Sequence, residues 1–307
     1  MGYFCVCSTR GRSVRADFRP DDSQAWGQRF APFWPTFRRP SLKFDRISSL
    51  IPLSDDNPTA RAPVMTILLL GAMLSAWLIV QGGGFDLANL AFSICNLGLV
   101  PAELTGALPL GSSIPLTRDF VCVVDAEPTN WLTPVLSIFL HGSWAHLLGN
   151  ALFFWVFGNN IEDVMGRGRF LVFFLVCGIA AAAVHVLLEP GSAIPTVGAS
   201  GAVSGIMGAY LMRFPRVRVR MLFIFVVFFR VVPLPAWLVL LWWFGLQVLL
   251  GLVDAASGAP ATAGVAVWAH VGGFLAGVLL VRLFERADLV ARRRSMLLRH
   301  GLLDEMA

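Results

Sequence analysis

The chain has 307 residues, of which 56% are hydrophobic and 14% charged, and its formal net charge is +5. Soluble globular chains carry about 25% charged residues, so this composition, with a mean hydropathy of +0.70, excludes an ordinary soluble enzyme and points to a polytopic membrane protein. The basic residues are dispersed over short segments between apolar spans, which reads as membrane topology; a lipid bilayer is the expected partner and nucleic acid is not.

Residues 1–62 hold no apolar run that would serve as a secretory signal. They are rich in Arg, Pro and Ser, with scattered Trp26, Phe33 and Trp34, and read as a mostly disordered basic tail on the cytoplasmic side. Six uncharged windows follow, at about Val64–Gln81, Ser143–Ile161, Phe170–Leu188, Ser200 to Arg213, Pro235–Val253 and Gly264–Val281. The fourth is short, and the loop after the first, roughly residues 82–142, is unusually long. The chain is therefore divided into a tail (1–62), a six-span domain (63–285) and a basic C-terminal tail (286–307).

Ten basic residues precede the first span, Arg167 and Arg169 separate the second and third, five separate the fourth and fifth, and six follow Val281. The other three connections hold only Arg118. By the positive-inside rule both termini lie in the cytoplasm. Met221–Phe229 is wholly apolar, but as a helix it would reach only about 13 Å against roughly 30 Å of hydrocarbon. It is expected to lie along the inner surface. Cys95 and Cys122 share the long outer loop, where a disulfide is permitted; the pairing stays open. Cys5, Cys7 and Cys177 read as reduced thiols. No Cys/His spacing suits zinc, and no metal or cofactor is expected.

Polar side chains within a span are costly and suggest function. His146 and Asn150 are four apart on the second span and share a face. Ser200 opens the fourth, and His270 lies near the start of the sixth. If Arg213 marks the inner face, Ser200 sits about 10 Å below the outer one, and Asn150 and His270 come to about 9–10 Å by the same rise per residue. Three segments thus deliver polar groups to one level. Gly201 and Gly205, Ser204 and Gly208, and Gly273 and Gly277 form small-residue faces on the fourth and sixth spans, which lets those backbones approach closely. Ser beside His is a minimal activated nucleophile. No acid is placed as a third member, so the reading is a dyad. The backbone N–H of Ser200 and the side chains of Asn150 and His146 would supply oxyanion donors. His185, with no visible partner, reads as structural.

The strings His141–Asn150, Gly158–Asp163, Gly198-Ala199-Ser200-Gly201 and Ala269–Gly277, in this order on these spans, resemble the rhomboid intramembrane serine proteases of the bacterial six-span type. The resemblance covers roughly residues 50–285 and includes Leu97–Pro101. It implies an all-α, six-helix bundle in the bacterial inner membrane, with Ser200 as nucleophile, His270 as general base and His146 and Asn150 stabilising the oxyanion. His141, Gly198, Gly201, Ser204 and Gly273 would support them, and Glu162 would be a structural acid near the cytoplasmic end. Substrates would be other transmembrane proteins. Two features depart from the family pattern. Ser204 stands where some members carry a Tyr that stacks on the base, so the base must be oriented from elsewhere, and the outer loop lacks the Trp-Arg pair some members have. Two rival readings remain: a catalytically silent relative that binds membrane proteins for quality control, and a transporter. The transporter is disfavoured by the lack of internal repeats and midplane charges.

Overall fold

A computed structural model of the chain describes residues 3–9, 12–13, 49–116, 120–124, 129–225, 228–257 and 265–302. Residues 14–48, with Trp26, Phe33 and Trp34, lie outside them, as do Arg118 and the side chains of Cys5 and Cys7. The fold is a helical membrane bundle. Its six principal helices are α1 (Val64–Ser75, prolonged as a π segment to Val80), α5 (Trp144–Met165), α6 (Arg167–Leu188), α7 (Ser200–Arg213), α8 (Ala236–Ser257) and α9 (Val267–Phe284). Short helices α2 (Leu87–Leu97) and α3 (Pro101–Leu104) lie in the long first loop, α4 (Thr133–Leu136) leads into α5, and α10 (Ala287–Arg299) follows the bundle.

Three of the helices, α6, α8 and α9, are long and apolar enough to cross a bilayer on those grounds alone. Helix α5 is as long as α6 at 22 residues, but carries Asn150, Asn159, Asn160, Glu162 and Asp163. Helix α7 has 14 residues, about 21 Å of rise, which is short of a full crossing. It compensates by being enclosed: every residue from Gly201 to Tyr210 is buried, and the helix packs against α5, α6, α8 and α9.

What lets α9 lie so close to α7 is the absence of side chains between them. A Cβ on Gly273 would run into the carbonyl of Gly201, one on Gly277 into that of Gly205, and one on Gly208 into that of Phe274. On its other side α7 meets α6 the same way, since a Cβ on Gly201 would come 2.6 Å from Ala181 Cβ. In lipid, such backbone approach and the dispersion contacts it permits are what drive helices together. The α5–α6 contact is filled by large rings instead: Phe154 stacks on Phe170 at 6.0 Å and meets Phe174 at 5.3 Å.

At the arginine-rich end, buried polar groups are paired with one another. Glu162 accepts from Met65 N at 3.0 Å and from Thr66 N and Oγ1 at 2.8 Å each, satisfying first-turn donors of α1. Arg293 of α10 is buried, bonding Asp163 Oδ2 at 2.6 Å and Asn160 Oδ1 at 2.8 Å. Asp163 also accepts from Ala60 N. Tyr210 donates to Asp55, and Asn57 donates to Tyr210. The network ties α5, α7, α10 and the approach to α1 together.

Two small sheets lie outside the bundle. Strand β3 (Ser49–Asp55) pairs antiparallel with β6 (Arg218–Phe225), which pairs with β7 (Phe228–Pro235). The segment expected to lie along the inner surface therefore belongs to the paired strands β6 and β7. Its β-branched and aromatic residues favour the pleated form, and β3 gives its backbone a lateral partner that a nine-residue helix would not need. The second sheet has the order β2 (Arg12–Ser13), β1 (Tyr3–Thr9), β5 (Phe120–Val124), β4 (Ser113–Pro115). Pairing with β5 puts β1 at the first-loop face, opposite β3, which is at odds with a tail wholly on the arginine-rich side. Cys95 and Cys122 form a disulfide that fastens α2 to β5.

Two outcomes follow from this packing. Gly277→Val should force α7 and α9 apart and cost about 1–3 kcal/mol or more, read as a lower unfolding temperature in detergent than for a Gly245→Val control, whose Cβ would meet nothing. Burial pushes the Asp55 carboxyl up from 3.8 to about 6, with the Tyr210 hydroxyl pulling the other way. The folded chain then holds that proton more tightly than the unfolded one, so the group's stabilising contribution is full below about pH 4 and is lost as pH rises through about 6. Asp55→Asn should flatten this part of the stability profile, measured by thermal unfolding across that range.

Candidate active site

The first turn of α7 and the start of α9 meet at the first-loop end of the glycine crossing. Ser200, the first helical residue of α7, and His270, in the first turn of α9, bring Oγ and Nε2 to 2.8 Å. The contact lies in a cavity of about 510 Å³ lined also by His146, Asn150, Gly198, Gly201 and Ser204. Ser200, His270 and Asn150, placed at one depth by the sequence, are thus brought together with His146, Gly198, Gly201 and Ser204. His141 and Gly273 do not line the cavity: Gly273 serves the helix crossing, and His141 is fully buried behind His146, its ring edge-on at 5.3 Å.

Helix α5 delivers His146 and Asn150. Its N-cap is Ser143, whose hydroxyl accepts from the His146 N–H at 3.1 Å. Gly142 N–H points at His146 Nδ1 at 3.5 Å, which makes Nδ1 the acceptor and leaves the ring proton on Nε2. Gly198 lies where that proton points. It has φ +123°, and a Cβ there would sit 2.6 Å from His146 Nε2 and 3.4 Å from Asn150 Nδ2. Only glycine fits both the backbone and the space. Asn150 is buried, and its Nδ2 has no hydrogen-bond partner among the described residues. A buried amide donor left unpaired costs about 1–3 kcal/mol, and such a group beside a cavity is poised for a ligand. The α7 N-terminus, with its unsatisfied first-turn N–H groups, faces the same space.

The loop carrying Gly198 is braced from the long first loop. Leu99 and Thr196 exchange backbone hydrogen bonds at 2.9 and 2.7 Å, Ala102 N–H donates to Ser192 O, and Thr105 Oγ1 donates to Pro190 O. Gly198 N–H donates to Ser137 O at 2.9 Å. His185 has a partner after all, Thr196 Oγ1 at 3.1 Å. Gln81 is fully buried and clasps the backbone of His141, donating to its carbonyl and accepting from its N–H at 2.8 Å each.

Sequence reasoning missed Gln81 and also Gln247 of α8, whose Oε1 lies 2.9 Å from His270 Nδ1. The signal for Gln247 was present: it is the one strongly polar residue of α8 before Asp254, and the cost of such a group within a span applies to it as to the four residues singled out. Ser204, where a stacking ring was absent, donates instead to the carbonyl of Ser200 at 2.6 Å.

A serine, an imidazole and convergent donors in one cavity can perform acyl transfer. A family model described as the Rhomboid domain matches residues 128–287. The chain is 37% identical over 89 residues to Rhomboid protease GluP of Bacillus subtilis (29% of this chain, 16% of that protein). It is 30% identical over 105 residues to RHOMBOID-like protein 5 of Arabidopsis thaliana (33% and 34%). It is 28% identical over 192 residues to Rhomboid protein 1, mitochondrial, of Saccharomyces cerevisiae (59% and 48%). The matched segments span less than half the length of each of these relatives. The family model, however, covers more than half of this chain and includes all of the cavity except Leu99: the protein is a member of the rhomboid family.

Proposed function

We propose that the protein is an intramembrane serine endopeptidase that cuts other membrane proteins within or near a transmembrane segment. The observation that carries this reading is the 2.8 Å contact between Ser200 Oγ and His270 Nε2 at the edge of a cavity that also receives an unpaired Asn150 amide. Ser200 attacks the scissile carbonyl while His270 Nε2 takes the hydroxyl proton. The tetrahedral oxyanion is held by the Ser200 N–H, His146 Nε2–H and Asn150 Nδ2. His270 then protonates the leaving amine, and water entering the cavity releases the acyl group by the same relay run again. Water is required at a site below the membrane surface, and the polar wall of the cavity accommodates it.

Membrane-protein substrates follow from where the nucleophile sits, since a segment that reaches Ser200 must enter between helices or bend into the cavity from the first-loop side. The dispersal of arginines supports an orientation with Ser200 opening toward the outside and the C-terminal helix in the cytoplasm, and the resemblance to the bacterial six-span type carries the assignment to a bacterial inner membrane. The silent-relative reading is disfavoured by the same contact, because a protein that only binds has no need of an imidazole beside a serine.

Purified protein in detergent or liposomes should cleave a transmembrane peptide and react with a fluorophosphonate probe at one serine. Ser200→Ala and His270→Ala should abolish both while leaving the unfolding temperature within a few degrees. Asn150→Ala should lower kcat by about 10²–10³, the usual cost of one oxyanion donor. Cleavage retained by Ser200→Ala would refute the assignment.

A further inference from the structure

We propose that Gln247 of α8 is the positioning residue for His270, taking the place that a carboxylate fills in a catalytic triad. This inference rests on the Ser200–His270 reading and extends it.

The argument is one of hydrogen-bond direction. An amide oxygen only accepts. With Gln247 Oε1 2.9 Å from Nδ1, the proton of the neutral ring lies on Nδ1. Nε2 therefore carries the lone pair, and that nitrogen faces Ser200 Oγ at 2.8 Å. The tautomer able to take the serine proton is the one that Gln247 selects. In the alternative tautomer Nε2 would donate to Ser200, and the ring could not act as base.

Nothing else near the ring does this. No carboxylate hydrogen-bonds His270 among the described residues, and the Ser204 hydroxyl is engaged by the Ser200 carbonyl. Trp243 supports the ring from the same helix: it lies one turn before Gln247, with its centroid 5.7 Å from that of His270 and the planes inclined at 40°. Residues four apart on a helix share a face, so α8 presents an indole to the plane of the imidazole and an amide to its edge. The placement also accounts for a primary amide in an otherwise apolar stretch, where an unpaired one is costly.

The test compares Gln247→Met, which keeps the length but loses the acceptor, with Gln247→Glu, which can accept but not donate. Both are made in the full chain, with Gln247→Leu as a second apolar variant. Wild type and variants are assayed for peptide cleavage, for the rate of fluorophosphonate labelling at Ser200, and for thermal unfolding. Gln247→Met and Gln247→Leu should lower kcat about 10–100-fold, within the range of general-base effects, with KM changed less than about twofold. Labelling should slow by the same factor, and Gln247→Glu should recover most of the loss. If wild type labels at Ser200 while the apolar variants keep full kcat, or if Gln247→Glu is as impaired as they are, the positioning role is overturned and the dyad stands. A wild type inert to the probe overturns both.

Discussion

The architecture depends on the contact between two helix backbones. Helices α7 and α9 approach so closely that Gly273 and Gly277 oppose the carbonyls of Gly201 and Gly205, and Gly208 opposes that of Phe274. Side chains at these positions would separate the helices, and Ser200 and His270, at the first-loop end of the same crossing, would separate with them. The Ser200–His270 contact is thus a consequence of packing. The short length of α7 completes the arrangement: its N-terminus stops below the first-loop face, so a helix end with free N–H groups lies where a longer helix would have carried it out to the surface.

Among the described residues, buried polar groups of the bundle gather toward its two ends. At the arginine-rich end most are paired, with Glu162, Asp163, Asn160, Tyr210, Asp55 and Arg293 bonded to one another or to backbone, although Arg293 Nε has no partner among the described residues. Breaking a buried pair such as Arg293–Asp163 leaves a charge uncompensated and costs about 3–5 kcal/mol, so this end acts as a rigid base tying α5, α7 and α10. At the other end satisfaction is incomplete, and Asn150 keeps a free donor.

Much of this was legible in the sequence, because the bilayer imposes strong rules. Charge-free windows located the helices, α7 begins and ends where Ser200 and Arg213 suggested, and the cost of a polar group in a span singled out Ser200, His270, His146 and Asn150. What escaped were contacts that depend on long side chains or lateral pairing. Gln247 belongs to a helix taken only as an uncharged span, and its contact with His270 needs the position of α9. Gln81 reaches His141 across 60 residues of sequence. The bridge between Leu99 and Thr196 joins two loops with no periodic pattern. The hairpin Arg218–Pro235 was hidden because an apolar run with no imposed period fits helix and strand equally until β3 is seen beside it.

The most direct test of the central claim is a structure of the protein inhibited covalently by a phosphonate. The account predicts a bond from Ser200 Oγ to phosphorus, with the phosphoryl oxygen about 3 Å from the Ser200 N–H, His146 Nε2 and Asn150 Nδ2. The α7–α9 crossing should be unchanged. An adduct on another residue, or a phosphoryl oxygen directed away from all three donors, would contradict it.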